Sequence, residues 1–220
     1  MTLVAVTSKS FSKNAFLRQN ILRDYPKTKF NDEAVSFDDD SLIVFLENIE
    51  RAIIGLESIN EKVLSALPKL SIISKYGVGI DALDLNAFQR HGVELRWSPG
   101  VNKRSVAELV VAQMISVLRH LYLSNEDVKS GIWQVRTSHQ LSSRTIGVVG
   151  LGNIGQDLIS LLSAFGCRII GNDIANRNAF AASNRVELMS LEALLKTADI
   201  VTVHTPLNSS TLGLINHKTL

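Results

Sequence analysis

The sequence predicts an α/β protein made of two parallel-sheet units, and three observations carry that expectation. Short β-branched runs alternate with amphipathic stretches through the first hundred residues, the alternation that lays helices on the faces of a parallel sheet. A proline–glycine break at Ser98–Asn102 interrupts that rhythm. From Thr145 a second strand–turn–helix series begins, and its turn is rich in glycine.

In the first unit, residues 1–101, strands are expected at Leu3–Thr7, Arg51–Gly55, Ser71–Ser74 and Val93–Trp97, with a weaker one near Thr28–Asn31. Helical spacing appears at Lys13–Leu22, Asp40–Asn48, Asn60–Leu67 and Asp84–His91. Asn60 stands ahead of Val63, Leu64 and Leu67, an N-cap before a buried helix face. The acidic run Asp38-Asp39-Asp40 suits a helix N-terminus, where the macrodipole favours negative charge. The second unit, residues 102–220, opens with a helix over 104–121 that is apolar nearly all round, so it needs burial on several sides, between domains or against another subunit. The polar stretch 130–144 reads as a connecting loop, and Leu191–Thr197 and Asp199–His204 as a further helix and strand.

Bulk properties narrow the partners. A 45% hydrophobic, 20% charged chain of 220 residues can bury a proper core. A net charge of +2 with no block of like charges gives no footprint for nucleic acid or an anionic membrane. The single cysteine, Cys167, excludes an internal disulfide and fits a reducing compartment. The N-terminus lacks a basic region ahead of a long apolar stretch, and no apolar run has the length of a membrane span. A cytoplasmic protein without a metal site is expected.

The second unit carries the chemistry. Strand Thr145–Val149 runs into Gly150-Leu151-Gly152-Asn153-Ile154-Gly155, and an amphipathic helix follows. Gly150 permits the tight turn, Gly152 lets the backbone approach a pyrophosphate, and Gly155 lets the helix pack close to the sheet. The pyrophosphate would rest on free N–H groups at the helix N-terminus. A second strand, Arg168–Asn172, ends at Asp173, about 20 residues on, where a carboxylate accepts from both ribose hydroxyls and repels a 2′-phosphate. Asp173 thus favours NAD over NADP, with Arg177 close by. His204, Thr205 and Pro206 follow the carboxyl end of a strand, where ligands bind in such sheets.

Four ordered stretches, "KYGVGIDALDL", "SPGVNKRSVAELVVAQM", "TIGVVGLGNIGQ" and "ADIVTVHTPLNSSTLGLIN", make the chain resemble the D-isomer-specific 2-hydroxyacid dehydrogenases, the phosphoglycerate dehydrogenase branch above all. The resemblance implies a flavodoxin-like substrate domain followed by a Rossmann NAD-binding domain, with the active site between them. It implies that Val78 and Gly79 offer main-chain N–H groups to a substrate carboxylate, with Lys75 as a possible added charge, and that Asn102 lies near substrate and nicotinamide. Cofactor contacts map onto Gly152, Asn153, Ile154, Asp173, Thr205 and Pro206, and more loosely onto Thr211; His204 is implied as a contact residue. The helix over 104–121 matches the family's interdomain and dimerisation helix, so a homodimer and a small 2-hydroxy or 2-keto acid are the expected partners.

The family's catalytic arginine, glutamate and histidine lie beyond Leu220, so no catalytic residue is assigned within the chain. Taking Asp199–His204 as the third strand of the second sheet leaves strand Thr145–Val149 with an unpaired edge and half of the nicotinamide site missing. Leu214-Ile215-Asn216 reads as the run-in to a helix that four residues cannot complete. The chain is therefore expected to stop mid-domain, as an incomplete Rossmann fold. Its function is expected to be that of an NAD-dependent oxidoreductase acting on a 2-hydroxy acid, silent as it stands; the alternative is a catalytically dead NAD-binding or subunit-pairing module, or a non-functional fragment.

Overall fold

The structure, a computed structural model, describes residues 2–219, which fall into two compact units dividing between Pro99 and Gly100, two residues before the break read from sequence. In unit 1 the strands are β1 (Val4–Val6), β2 (Lys29–Phe30), β3 (Arg51–Ile54), β4 (Ile72–Lys75) and β5 (Glu94–Arg96). They pair in parallel in the order β2-β1-β3-β4-β5, the flavodoxin-like doubly wound order. The connecting helices are α1 (Lys9–Lys13), α2 (Ala15–Asp24), α3 (Asp39–Leu46), α4 (Glu61–Ala66) and α5 (Leu85–His91).

Local chemistry sets the helix limits. The helix expected over Lys13–Leu22 is α2, which starts two residues later, and an unexpected short helix α1 precedes it: Asn14 closes α1, and its Oδ1 accepts the Leu17 N–H at 3.1 Å to start α2. Asp38 and Ser41 form a reciprocal capping box on α3. Gly92, left-handed with φ +66°, stops α5 and turns the chain into β5. One face of the sheet presents Ala5, Ala52, Ile54 and Ile73 to Leu42, Leu46, Val63, Leu64 and Phe88. Beyond the ends of β1 and β2, buried Asn31 donates to the carbonyls of Thr7 (2.8 Å) and Val35 (2.9 Å) and accepts from the Val35 N–H, fixing two loops at the carboxyl edge.

Unit 2 begins with α6 (Lys103–Leu118) and α7 (Leu121–Lys129). The helix expected over 104–121 ends earlier, because His120 takes a left-handed φ of +52° and the axis bends there by 62°. The sheet has β6 (Thr145–Val149), β7 (Arg168–Asn172), β8 (Glu187–Leu188) and β9 (Ile200–Val203), with α8 (Asn153–Leu162), α9 (Asn178–Asn184) and α10 (Leu191–Thr197) between them. Its order is β8-β7-β6-β9, all parallel. This corrects the sequence reading: the segment taken as the third strand is the fourth, and it pairs with β6. Strand β6 is flanked on both sides, and the switch point between strands one and four is present. Two-residue β8, the true third strand, is too short to leave a periodic signal. Nor does a helix start at Asn216 among the described residues; its side chain accepts the Lys218 N–H at 2.8 Å, an Asx turn.

Helix α8 packs Leu158, Ile159 and Leu162 into the core of unit 2, beside Ile146, Val148 and Ile169. Helix α6 lies against α8 through Ala107 and Met114, and Arg104 meets the largely buried Asp157 carboxylate at 3.0 Å. Leu109 and Val117 of α6 stay exposed. No single described helix is long and apolar enough to cross a membrane. Leu158 is fully buried, so Leu158→Ala should cost about 2–5 kcal/mol, read as a lower urea midpoint at unchanged m-value.

Candidate functional site

At the carboxyl edge of the unit 2 sheet, β6 passes into Gly150, which adopts φ +92°. A Cβ there would lie 2.8 Å from the carbonyl carbon and oxygen of His204 and 3.0 Å from the Thr205 nitrogen. At Gly155 a Cβ would collide with the Gly150 carbonyl oxygen. Gly152 is different: its φ is −80°, and nothing stands within 4 Å of its Cβ position. The ten-residue helix α8 starts there with no side-chain cap and no acidic residue in its first turn. Its first N–H groups therefore meet open space under a positive helix end, and that is what a pyrophosphate requires. The residues present fit a dinucleotide.

Asp173, at the end of β7, is anchored by this same turn. Its Oδ2 accepts the Leu151 N–H at 2.7 Å, its Oδ1 accepts the Ala175 N–H at 2.7 Å, and Arg177 Nε lies 3.4 Å away. Burial acts to raise this carboxyl, but the two N–H groups and the Arg177 guanidinium outweigh it and hold the group below the usual carboxylate range. Asp173 is therefore a fixed anion with lone pairs to spare for ribose hydroxyls. Sequence reasoning missed Leu151 and Ala175 because they act through main-chain N–H groups, which carry no side-chain signature.

His204, Thr205 and Pro206 come alongside the glycine turn because β9 pairs with β6; the His204 N–H bonds the Val149 carbonyl at 2.7 Å. The half-buried imidazole places Nε2 at 2.9 Å from Thr202 Oγ1. Burial pushes its pKa below the ordinary value and keeps it neutral. Thr211 folds its hydroxyl back on the Pro206 carbonyl at 2.6 Å, closing the loop beyond β9. Asn153, exposed on the first turn of α8, packs on Gly100, where a Cβ would lie 2.7 Å from Asn153 Cγ; Ile154 is half-buried beside it. Asn102 precedes α6 without capping it, and its Oδ1 is a buried acceptor with no partner among the described residues.

Val78 and Gly79 belong to unit 1, in the loop after β4. Gly77 adopts φ +130°, the Tyr76 N–H bonds the Ile54 carbonyl at 2.8 Å, and Trp97 Nε1 donates to the Val78 carbonyl at 3.0 Å. Among the described residues, the N–H groups of Gly77, Val78 and Gly79 have no internal acceptor. Lys75 bonds its Nζ to the Gly55 carbonyl, and that Nζ is 3.8 Å from the Gly77 Cβ position. A loop with consecutive free amides beside a cation suits a small anion.

Two outcomes follow from this geometry. Gly152→Ala should leave the thermal midpoint within about 2 °C, a surface-level change, while weakening NADH binding at least about tenfold; Gly155→Ala should lower the midpoint itself. Calorimetric titration beside a thermal melt separates the two. For His204 the depressed folded pKa means that stability is present above the unfolded value of about 6.5 and lost as pH falls below it. His204→Asn should therefore remove part of the stability difference between pH 7.5 and 5.5, read from denaturation midpoints.

Comparison with known proteins converges on one family. Residues 111–220 match the NAD binding domain of the D-isomer specific 2-hydroxyacid dehydrogenases. A D-3-phosphoglycerate dehydrogenase of Rattus norvegicus is 33% identical over 183 residues, 82% of this chain and 34% of that protein. One from Mycobacterium leprae is 36% identical over 166 residues, 74% of this chain and 31% of its own length. The chain thus spans about a third of the length of the curated relatives it matches. Among solved structures, the pyruvate reductase of Chlamydomonas reinhardtii superposes with a TM-score of 0.81 at 28% identity, covering 100% of this chain and 65% of that one. A D-lactate dehydrogenase from Aquifex aeolicus, complexed with NAD and lactic acid, shares the fold with a TM-score of 0.83 at 23% identity, covering 99% of this chain and 65% of that one. The chain belongs to the D-isomer-specific 2-hydroxyacid dehydrogenase family and carries that family's NAD-binding domain.

Proposed function

We propose that the protein acts as an NAD-dependent 2-hydroxyacid dehydrogenase, with unit 2 holding the cofactor and unit 1 serving as the substrate domain. The observation that carries this reading is the uncapped, uncrowded start of α8 at Gly152 beside the fixed Asp173 carboxylate. In it, Gly150 and Gly155 set the turn, Gly152, Asn153 and Ile154 receive the pyrophosphate, and Asp173 takes the ribose hydroxyls. His204, Thr205, Pro206 and Thr211 line the cofactor's other side. NAD supplies the hydride acceptor or donor. The protein's own residues bind and orient: Val78 and Gly79 present N–H groups to the carboxylate of a small 2-hydroxy or 2-oxo acid, and Asn102 offers its unpartnered oxygen to a donor on substrate or cofactor. His204 serves as a contact, since its Nε2 is engaged by Thr202.

The reading extends to assembly in the cytoplasm as a homodimer through 104–121, supported by the apolar side chains Leu109, Val117, Leu121 and Tyr122, all left exposed. Charge selects the cofactor: a carboxylate at the ribose edge repels a 2′-phosphate, so NADH should bind at least about tenfold tighter than NADPH. Asp173→Ala should erase that preference and weaken NADH about tenfold or more. Calorimetric titration of both nucleotides, with an absorbance assay of NADH oxidation by glyoxylate and hydroxypyruvate, checks the proposal. Equal affinity for the two nucleotides in the unaltered protein sinks the assignment of Asp173, and NADH binding without turnover reduces the function to a cofactor-holding module.

A further inference from the structure

The loop proposed for the substrate carboxylate sits in a local charge field that restricts what else the substrate can carry. Gly55, at the end of β3, is buried and has Ser8 Cβ and Oγ at 3.2 Å from its Cβ position. Its two main-chain polar groups hold two opposite charges: its carbonyl accepts Lys75 Nζ, and its N–H donates to Glu57 Oε2 at 2.5 Å. Lys75, beside the loop, is therefore accompanied, one residue's width away, by a carboxylate that the backbone fixes in place. A second carboxylate, Asp81 Oδ1, lies 3.0 Å from the Cβ position of Gly79. In the loops after β1 and β2 the charged side chains include Lys9, bonded to Ser36 Oγ at 2.5 Å, Asp32, paired with Arg18, and Glu33. Two carboxylates, Glu57 and Asp81, thus accompany Lys75 at the loop after β4. Consecutive free amides and one lysine suffice for a monoanion. A phosphorylated hydroxy acid brings about two further negative charges, and sites that take such charge use clustered arginine or lysine.

We propose that this protein's substrate is an unphosphorylated 2-hydroxy or 2-oxo monocarboxylate, and that Glu57 is the residue that excludes a phosphorylated one. The inference rests on the reading of Val78 and Gly79 as the carboxylate site, and it departs from the substrate in the names of the curated relatives. The device is repulsive: Glu57 need not touch the accepted substrate, only oppose charge on the rejected one.

D-glycerate and 3-phospho-D-glycerate differ only in the phosphate, so the pair isolates the effect. Trp97 reports on the loop through its bond to the Val78 carbonyl. The other tryptophan, Trp133, is 89% exposed, and Trp133→Phe removes its signal. In that background, with NADH binding as the check that the chain is folded, D-glycerate should perturb Trp97 emission at concentrations at least about tenfold lower than 3-phospho-D-glycerate. Glu57→Gln should narrow the gap by about tenfold, by improving the phosphorylated ligand and leaving D-glycerate alone. Equal or tighter binding of 3-phospho-D-glycerate, or a gap indifferent to Glu57→Gln, overturns the inference and leaves the carboxylate site standing. Silence toward both acids with NADH binding intact removes the carboxylate site and the inference together.

Discussion

Unit 2 depends on the absence of a side chain at Gly150. Strands β6 and β9 run side by side to their last paired residues, Val149 and Val203. Beyond that point the His204 carbonyl and the Thr205 nitrogen occupy the space that a Cβ on Gly150 would need. The left-handed φ of Gly150 turns the chain out of the sheet within one residue, something an L side chain would resist. Gly155 then brings the first turn of α8 against the Gly150 carbonyl. Two missing side chains therefore place a strand end, a tight turn and a helix N-terminus together. The apolar face of α8, through Leu158, Ile159 and Leu162, holds the helix there. The close approach creates the site, and hydrophobic burial keeps it closed.

Electrostatics complete the turn at low cost. The Leu151 N–H has no partner in β6 or α8, and the Asp173 carboxylate satisfies it across the β6–β7 junction. One bond thus settles a polar group of the turn and orients the side chain proposed to read the ribose. Arg177 adds positive charge on the same carboxylate without consuming all its lone pairs. At the opposite flank, partial burial keeps His204 neutral, and its Nε2 lies at hydrogen-bond distance from Thr202 Oγ1. The flank beside the helix end thus adds no fixed charge of its own.

The two sheets, the glycine turn and Asp173 were legible in the sequence because each leaves a signature in residue type or period: β-branched runs, a G-x-G-x-x-G spacing, an acid at a strand end. What escaped notice has a common physical reason. Helix α7 continues the apolar pattern of α6, and only the left-handed backbone at His120 separates them. Strand β8 has two residues, too few for any period, and missing it made β9 count as the third strand instead of the fourth. That one slip made β6 look half-paired, although β9 lies beside it. Long-range pairing decides such cases, and local pattern does not encode it. The site residues read from the family resemblance divide between the units, with Lys75, Val78 and Gly79 in unit 1 and the remainder in unit 2.

On the proposed reading both units apply the same rule to anions: unit 2 would meet a pyrophosphate with the main-chain N–H groups of an uncapped helix, and unit 1 a carboxylate with those of a glycine loop. Neither relies on a cluster of basic side chains, in keeping with a net charge of only +2 over 220 residues. Backbone recognition of this kind is short-ranged and directional, whereas a lysine cluster attracts any anion at a distance. It leaves discrimination to the carboxylates nearby. On that reading Asp173 would stand where a 2′-phosphate falls, and Glu57 and Asp81 beside the loop proposed for the acid. If both proposals hold, selectivity on this scaffold is set by where negative charge is placed against the wrong ligand, and a single Asp or Glu after a strand end is enough to change it.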